Sequence, residues 1–140
     1  IALGNKLSIL RLPGVVGKEM PLTFFRRLYF SIVNSEEIKI RSKDSFFNNL
    51  VSCNDIFLTI LNLKIKQKNE IILLNHHSED IINLGKLILY CSEVIGKKCF
   101  YLESDECNPP FIISNKKYEN LLIKSKIKNM ITHFHSSCSK

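Results

Sequence analysis

The 140-residue chain holds no apolar run approaching the ~20 residues that a membrane-crossing helix needs. No basic segment followed by an apolar one opens it, so no secretory leader is expected, and the expected location is cytoplasmic. Its five cysteines are Cys53, Cys91, Cys99, Cys107 and Cys138; their number is odd and no two stand two residues apart. That spacing argues against a disulfide framework and against a compact thiolate zinc site, leaving reduced, mostly buried thiols as the expectation. No internal repeat and no linker-like stretch divides the sequence. The chain begins with Ile1 rather than Met and enters a strand pattern almost at once, so it reads as a piece of something longer.

What is present is ordinary for a globular domain: 45% hydrophobic and 24% charged residues, in a chain long enough for one core. Lys and Arg number 20 against 13 Asp and Glu, a formal charge of +7. The lysines are scattered, at 64, 66, 68, 97, 98, 116, 117, 124, 126 and 128 among others, and few lie near aromatics. A solvated basic surface is expected, with neither nucleic acid nor membrane as partner.

Strand and helix patterns alternate along the chain, which points to an α/β fold. Leu7 to Leu12 reads as a buried strand. Phe25, Leu28, Tyr29, Ile32 and Val33 are spaced as on a helix, with Pro21 in its first turn and Asn34-Ser35 at its end. Ile38 and Ile40 alternate with Lys39 as in a half-exposed strand. Residues 48–52 read as extended, and Asn54-Asp55 as caps of a helix carrying Ile56, Phe57, Ile60 and Leu61. The run Glu70 to Asn75 reads as a strand buried on both faces. Ser78 reads as the cap of a helix carrying Ile81, Leu84, Ile88, Cys91 and Ile95 and stopped by Gly96. A strand over Cys99 to Leu102, a loop over 105–110, and a short helix capped by Ser114 or Asn115 follow. Ile127, Met130, Ile131 and Phe134 mark a last helix, with a frayed tail "HSSCSK".

The order of these pieces resembles the C-terminal half of the extended short-chain dehydrogenase/reductases, the NAD-dependent epimerase/dehydratase family. "SILRLPGVVG" is similar to that family's sixth strand and the corner after it, with Arg11, Gly14 and Gly17 on the pattern. "MPLTFFRRL" resembles the helix that opens the substrate lobe. "FFNNLVSCNDIFLTIL" resembles the segment before the next helix, with Ser52 where His is usual and Asp55 where the usual Asp stands. "NEIILLNHHSEDIINLGKLI" is similar to the last strand of the dinucleotide fold and its helix, and "FIISNKKYENL" to a late serine-x-lysine segment.

The fold this implies is the last strands of a Rossmann-type NAD(P)-binding sheet plus the small C-terminal substrate-binding lobe. Residues 6–17 and 70–95 would belong to the sheet, and 18–69 and 97–135 mostly to the lobe. Two family motifs are missing. No Gly-x-x-Gly-x-x-Gly cradles a pyrophosphate, and no tyrosine is followed four residues later by lysine. No catalytic residue is therefore assigned here, and this chain by itself is not expected to be active; the missing N-terminal half would carry both motifs.

Ligands of open α/β sheets bind outside the carboxyl ends of the strands. The resemblance accordingly gives Leu12, Pro13 and Val16 a cofactor-binding role, gripping the nicotinamide of NAD or NADP. It gives Gly14, Asn48 and Arg26 a substrate-binding role. Gly14 stands where many relatives carry an asparagine, so it offers only backbone. Asn48 can equally be a satisfied turn residue, and Arg26 and Arg27 can equally be solvated, although a guanidinium fork suits a diphosphate. His76-His77 and His133-x-His135-x-x-Cys138 are not read as metal sites, because i and i+2 on a helix diverge.

Two functions stand at this stage. The first is part of an NAD(P)-dependent epimerase, dehydratase or reductase acting on a nucleotide sugar or related small molecule, as a homodimer of the longer enzyme. The second is a non-catalytic binding module with a basic surface.

Overall fold

The computed structural model describes residues 7–66, 71–104, 112–114 and 118–138. Its strands form four separate pairs. Strand β1 (Leu7–Arg11) lies parallel to β6 (Ile71–Asn75), with Leu7 level with Ile71 and Arg11 level with Asn75. Strand β2 (Gly14–Val16) is parallel to β5 (Leu50–Ser52), and β3 (Glu37–Ile40) is parallel to β8 (Phe100–Glu103). The antiparallel pair is β4 (Phe46–Phe47) with β7 (Ile82–Asn83). The helices are α1 (Phe24–Asn34), α2 (Cys53–Lys66), α3 (Leu84–Ile95) and α4 (Ile127–Cys138). Parallel pairs linked through helices make this an α/β protein.

Helix α1 buries Phe25, Leu28, Tyr29 and Ile32, the i, i+3, i+4, i+7 stripe of an amphipathic helix. That stripe packs with Leu87, Ile88 and Cys91 of α3 and with Ile127, Met130, Ile131 and Phe134 of α4. The Phe134 ring stands edge-on to Phe25 and Tyr29, with centroids 5.6 and 4.8 Å apart. A second, smaller cluster joins Leu63 of α2, Leu74 of β6 and Leu122.

Several boundaries differ from the sequence expectation. Pro21 lies outside α1, which is capped instead by Thr23, whose Oγ1 accepts from the Arg26 N–H at 3.3 Å. Ser52 rather than Asn54 or Asp55 caps α2, accepting from the Asp55 N–H at 3.0 Å. Ser78 does not start α3. Its hydroxyl lies 2.7 Å from the Asp80 carbonyl and 3.0 Å from that of Asn48, both acceptors for it, and the chain passes through β7 before Asn83 caps the helix. The left-handed stops at Ser35 and Gly96 fall where expected. The tail is helical through Cys138 rather than frayed from His135. The loop at 105–110 and a cap at Asn115 lie outside the described residues; 119–121 form a single 3-10 turn.

Burial departs from expectation in two places. Among the described residues the β1–β6 pair is covered on one face only: Leu74 is fully buried, while Ile9 is 45% and Leu73 40% exposed. The reading of both strands as buried fails there because α2 and the 118–122 segment cover only one face. Helix α2 shows the second departure. Its buried residues are Asp55, Thr59 and Leu63, whereas Phe57, Ile60 and Leu61 face outward, Phe57 at 58%.

The polar inward face of α2 has a physical cause. Residues 118–126 hold only one 3-10 turn, so their backbone groups need side-chain partners. Thr59 accepts from the Ile123 N–H at 2.9 Å, and Asn62 donates to the Leu121 carbonyl at 2.9 Å. Ser125 donates to Asp55 at 2.8 Å, and Asp80 accepts from the Ile127 N–H at 2.8 Å. Polar side chains there do the stitching that a sheet ladder does elsewhere.

Candidate functional site

A cleft of about 520 Å³, within the range of small-molecule sites, opens among the described residues. Gly14 closes one side. Thr23 and Phe24 enter from the start of α1, Lys39 and Arg41 from β3 and its exit, and Phe46 from β4. The strand alternation explains the cations: Ile40 turns into the core, so Lys39 and Arg41 turn the other way. The N-terminus of α1 adds its partial positive charge, and no acidic residue sits in its first turn to cancel it. The result is a cleft with aromatic walls and a cationic side.

Of the residues expected to meet substrate, only Gly14 lines this cleft. Its N–H donates to the Asn49 carbonyl at 3.0 Å, and a Cβ there would come within 3.2 Å of Leu50 Cδ2. Asn48 is buried and turned away. Its Nδ2 donates to the Ile113 carbonyl at 2.7 Å and its Oδ1 accepts from the Ile113 N–H at 2.8 Å. Arg26 donates to the Met20 carbonyl and lies over the Phe30 ring at 5.7 Å. Arg27 is exposed.

The residues expected to meet cofactor sit at the carboxyl end of β1. The Arg11 carbonyl accepts from the His76 N–H at 2.9 Å, so the ends of β1 and β6 stay together. Leu12 is exposed there and Pro13 half-buried. Val16 directs its side chain into the main core while its backbone runs level with Ser52. Gly17 follows, so close to α2 that a Cβ on it would lie 2.7 Å from Cys53 Sγ.

A buried polar cluster lies just beyond β6. His76 Nε2 is 3.0 Å from the Thr59 hydroxyl, and its Nδ1 has no partner among the described residues. Burial holds the His76 pKa below the usual histidine value, against opposing hydrogen bonds and the Asp55 charge. His77 contacts the Ser78 carbonyl at 2.7 Å and Glu119 at 3.3 Å, and Glu119 also pairs with Lys124. Desolvation pushes Glu119 up, but its bonds to Lys124 and His77 outweigh it and leave the carboxyl below its ordinary value. The described residues hold no cluster of three metal-ligating side chains; His133 instead borders a second cavity with Ser52, Asn54, Ser125 and Met130.

No protein-family model matches the sequence, and no curated protein does. Solved structures match the fold closely. A protein described as an epimerase, from Burkholderia cenocepacia J2315, superposes with a TM-score of 0.74 at 14% identity, over 93% of this chain and 46% of that one. The fold is a partial epimerase-type α/β fold. A mutant UDP-glucuronic acid 4-epimerase from Bacillus cereus, solved with a fluorinated UDP-sugar and NAD, gives 0.71 at 18% identity, over 94% of this chain and 45% of its own. UDP-N-acetylglucosamine 4-epimerase from Bacillus cereus gives 0.70 at 13%, over 95% and 48%. The chain thus spans just under half the length of these structures. No helix among the described residues is long and apolar enough to cross a membrane.

Sequence reasoning missed the cleft's Thr23, Phe24, Lys39, Arg41 and Phe46. The available signal was the Ile-Lys-Ile-Arg alternation over 38–41, whose polar side had to face something. It also missed Thr59, which no local pattern distinguishes from a solvent-facing helix residue.

Proposed function

We propose that this chain is the C-terminal portion of an NAD(P)-dependent epimerase, dehydratase or reductase acting on a nucleotide sugar. The observation that carries this reading is the cleft between Gly14, the start of α1 and the 39–47 segment. Its aromatic residues suit a base and its cations a diphosphate. In this reading Leu12, Pro13 and the backbone of Val16 contribute the nicotinamide side, and Gly14 contributes backbone to the substrate wall. In this reading Asn48 and Arg26 stand outside the cleft and hold Ile113 and Met20.

The fit to a nicotinamide rests on the corner itself. Leu12 is exposed and uncharged at the shared carboxyl end of β1 and β6, and Pro13 offers no N–H that would need a partner. The cofactor, when bound, would accept and return a hydride from a sugar carbon. The chain's own part is to position the ring and the substrate and to exclude water from between them. The bare apolar residues Ile9 and Leu73, and Phe57, Ile60 and Leu61 of α2, suit cover by the rest of such an enzyme.

The test is a titration of the chain with UDP followed by amide and side-chain NMR. Shifts at Phe24, Lys39, Arg41 and Phe46, weakened about tenfold in Arg41→Ala, are expected. Shifts confined to other surfaces, or none, would reject the nucleotide reading. NAD alone is expected not to bind at micromolar levels, because the chain has no pyrophosphate cradle.

A further inference from the structure

We infer that β8 is a self-association edge, at which a second copy of this chain adds its own β8 antiparallel across a twofold axis. The inference is independent of the nucleotide reading and concerns a different surface.

Strand β8 pairs with β3 along one side only, among the described residues. All four of its side chains are exposed, Phe100 at 56%, Tyr101 at 39% and Leu102 at 50%. Edge strands are normally blunted by proline, inward charge or a bulge, and β8 has an unbroken Phe-Tyr-Leu run instead. The Ser104 N–H donates to the Ile40 carbonyl at 2.9 Å. In a parallel ladder that bond directs the backbone groups of Leu102 toward β3 as well, and those of Tyr101 and Glu103 toward the open side.

Charge selects the occupant. Lys97 and Lys98 precede the strand and Glu103 ends it. A second β8 running parallel would set like charges together. Running antiparallel, it sets the basic end of each copy against the acidic end of the other. The proposed register sets Tyr101 against Tyr101 of the second copy on the axis, so that their outward groups bond each other and Phe100 faces Leu102 on either side. Each cross-strand pair contributes modestly and occurs twice by symmetry. Both charges also have partners within the chain: Lys97 donates to the Val33 carbonyl, and Glu103 accepts from the Lys43 N–H at 2.8 Å. A four-residue strand covers little area, so the expected dimer is weak and reversible.

Sedimentation equilibrium of the 140-residue chain tests this. A monomer–dimer equilibrium is expected. Leu102→Lys and Glu103→Lys should each raise the dimer dissociation constant at least about tenfold, with folding checked by circular dichroism. The triple variant Lys97→Glu/Lys98→Glu/Glu103→Lys reverses the polarity of the edge and should restore the dimer, which loss of folding could not do. A monomer at every concentration, open-ended aggregates, a triple variant that stays monomeric, or a dimer dissolved by Phe57→Lys on α2 but untouched by Glu103→Lys would overturn the proposal.

Discussion

Asn48 holds Ile113 by both ends of its amide: Nδ2 donates to the Ile113 carbonyl at 2.7 Å and Oδ1 accepts from the Ile113 N–H at 2.8 Å. Two bonds in opposite directions demand a group that both donates and accepts, in one orientation. Asn48→Ala should cost about 2 kcal/mol, because it leaves two backbone groups without a partner. Asn48→Asp should cost more, since it buries a carboxylate charge against the Ile113 carbonyl. Urea denaturation measures both. The UDP affinity of folded Asn48→Ala should be unchanged, and a large drop would return Asn48 to direct substrate contact.

Gly17 and Cys53 are matched by size. Gly17→Ala would place a methyl 2.7 Å from Cys53 Sγ, while the Cys53 Cβ is 3.9 Å away. Cys53 is exposed, so its thiol can rotate and the expected loss is small, about 1 kcal/mol. Adding Cys53→Ala removes the clashing atom, so the double variant should recover most of that loss. Thermal melts of the three proteins check the coupling.

His76 makes stability depend on pH with a definite sign. Burial depresses its pKa in the folded chain, whereas the unfolded chain titrates near the ordinary value of 6.5. Below that value the unfolded state takes up a proton that the folded state refuses. The stability associated with neutral His76 is therefore complete above 6.5 and declines as the pH falls through the folded value. Glu119 acts lower, losing its contribution as the pH falls from its ordinary 4.5 toward its depressed folded value. Urea midpoints between about pH 7.5 and about pH 5.5 should fall in the native chain and fall less in His76→Gln.

The thiols should separate by reactivity. Cys53 and Cys138 are exposed, while Cys91 is buried with its pKa pushed up to about 12 by burial. Cys99 is half-buried, and burial raises its pKa too. Iodoacetamide followed by peptide mapping should label Cys53 and Cys138 first, Cys99 slowly, and Cys91 only on unfolding. Prompt labelling of Cys91 would contradict the packing of α3 on α1 and α4.

Local chemistry made much of the architecture legible. The α1 and α4 stripes are read from helical spacing because both helices bury the side their apolar residues share. Gly14 was expected beside a substrate; the structure places it on the cleft wall, where a Cβ would come within 3.2 Å of Leu50 Cδ2. Asn48 and Arg26 turn to Ile113 and Met20 and do not line the cleft. A side chain's target depends on which distant backbone groups lack partners, and Ile113 and Met20 supplied those.

The sequence by itself determined the α/β alternation, the helical stops at Ser35 and Gly96, the existence of strands near 7–11 and 71–75, and the missing glycine cradle. These follow from periodicity, turn chemistry and composition, which act within a few residues. Only the tertiary structure decided that α2 turns Asp55 and Thr59 inward and Phe57 outward, and that Lys39 and Arg41 meet Phe24 across one cleft. Those outcomes depend on contacts between residues far apart in the chain, where satisfying a buried backbone group outweighs the local preference of a helix for its apolar side.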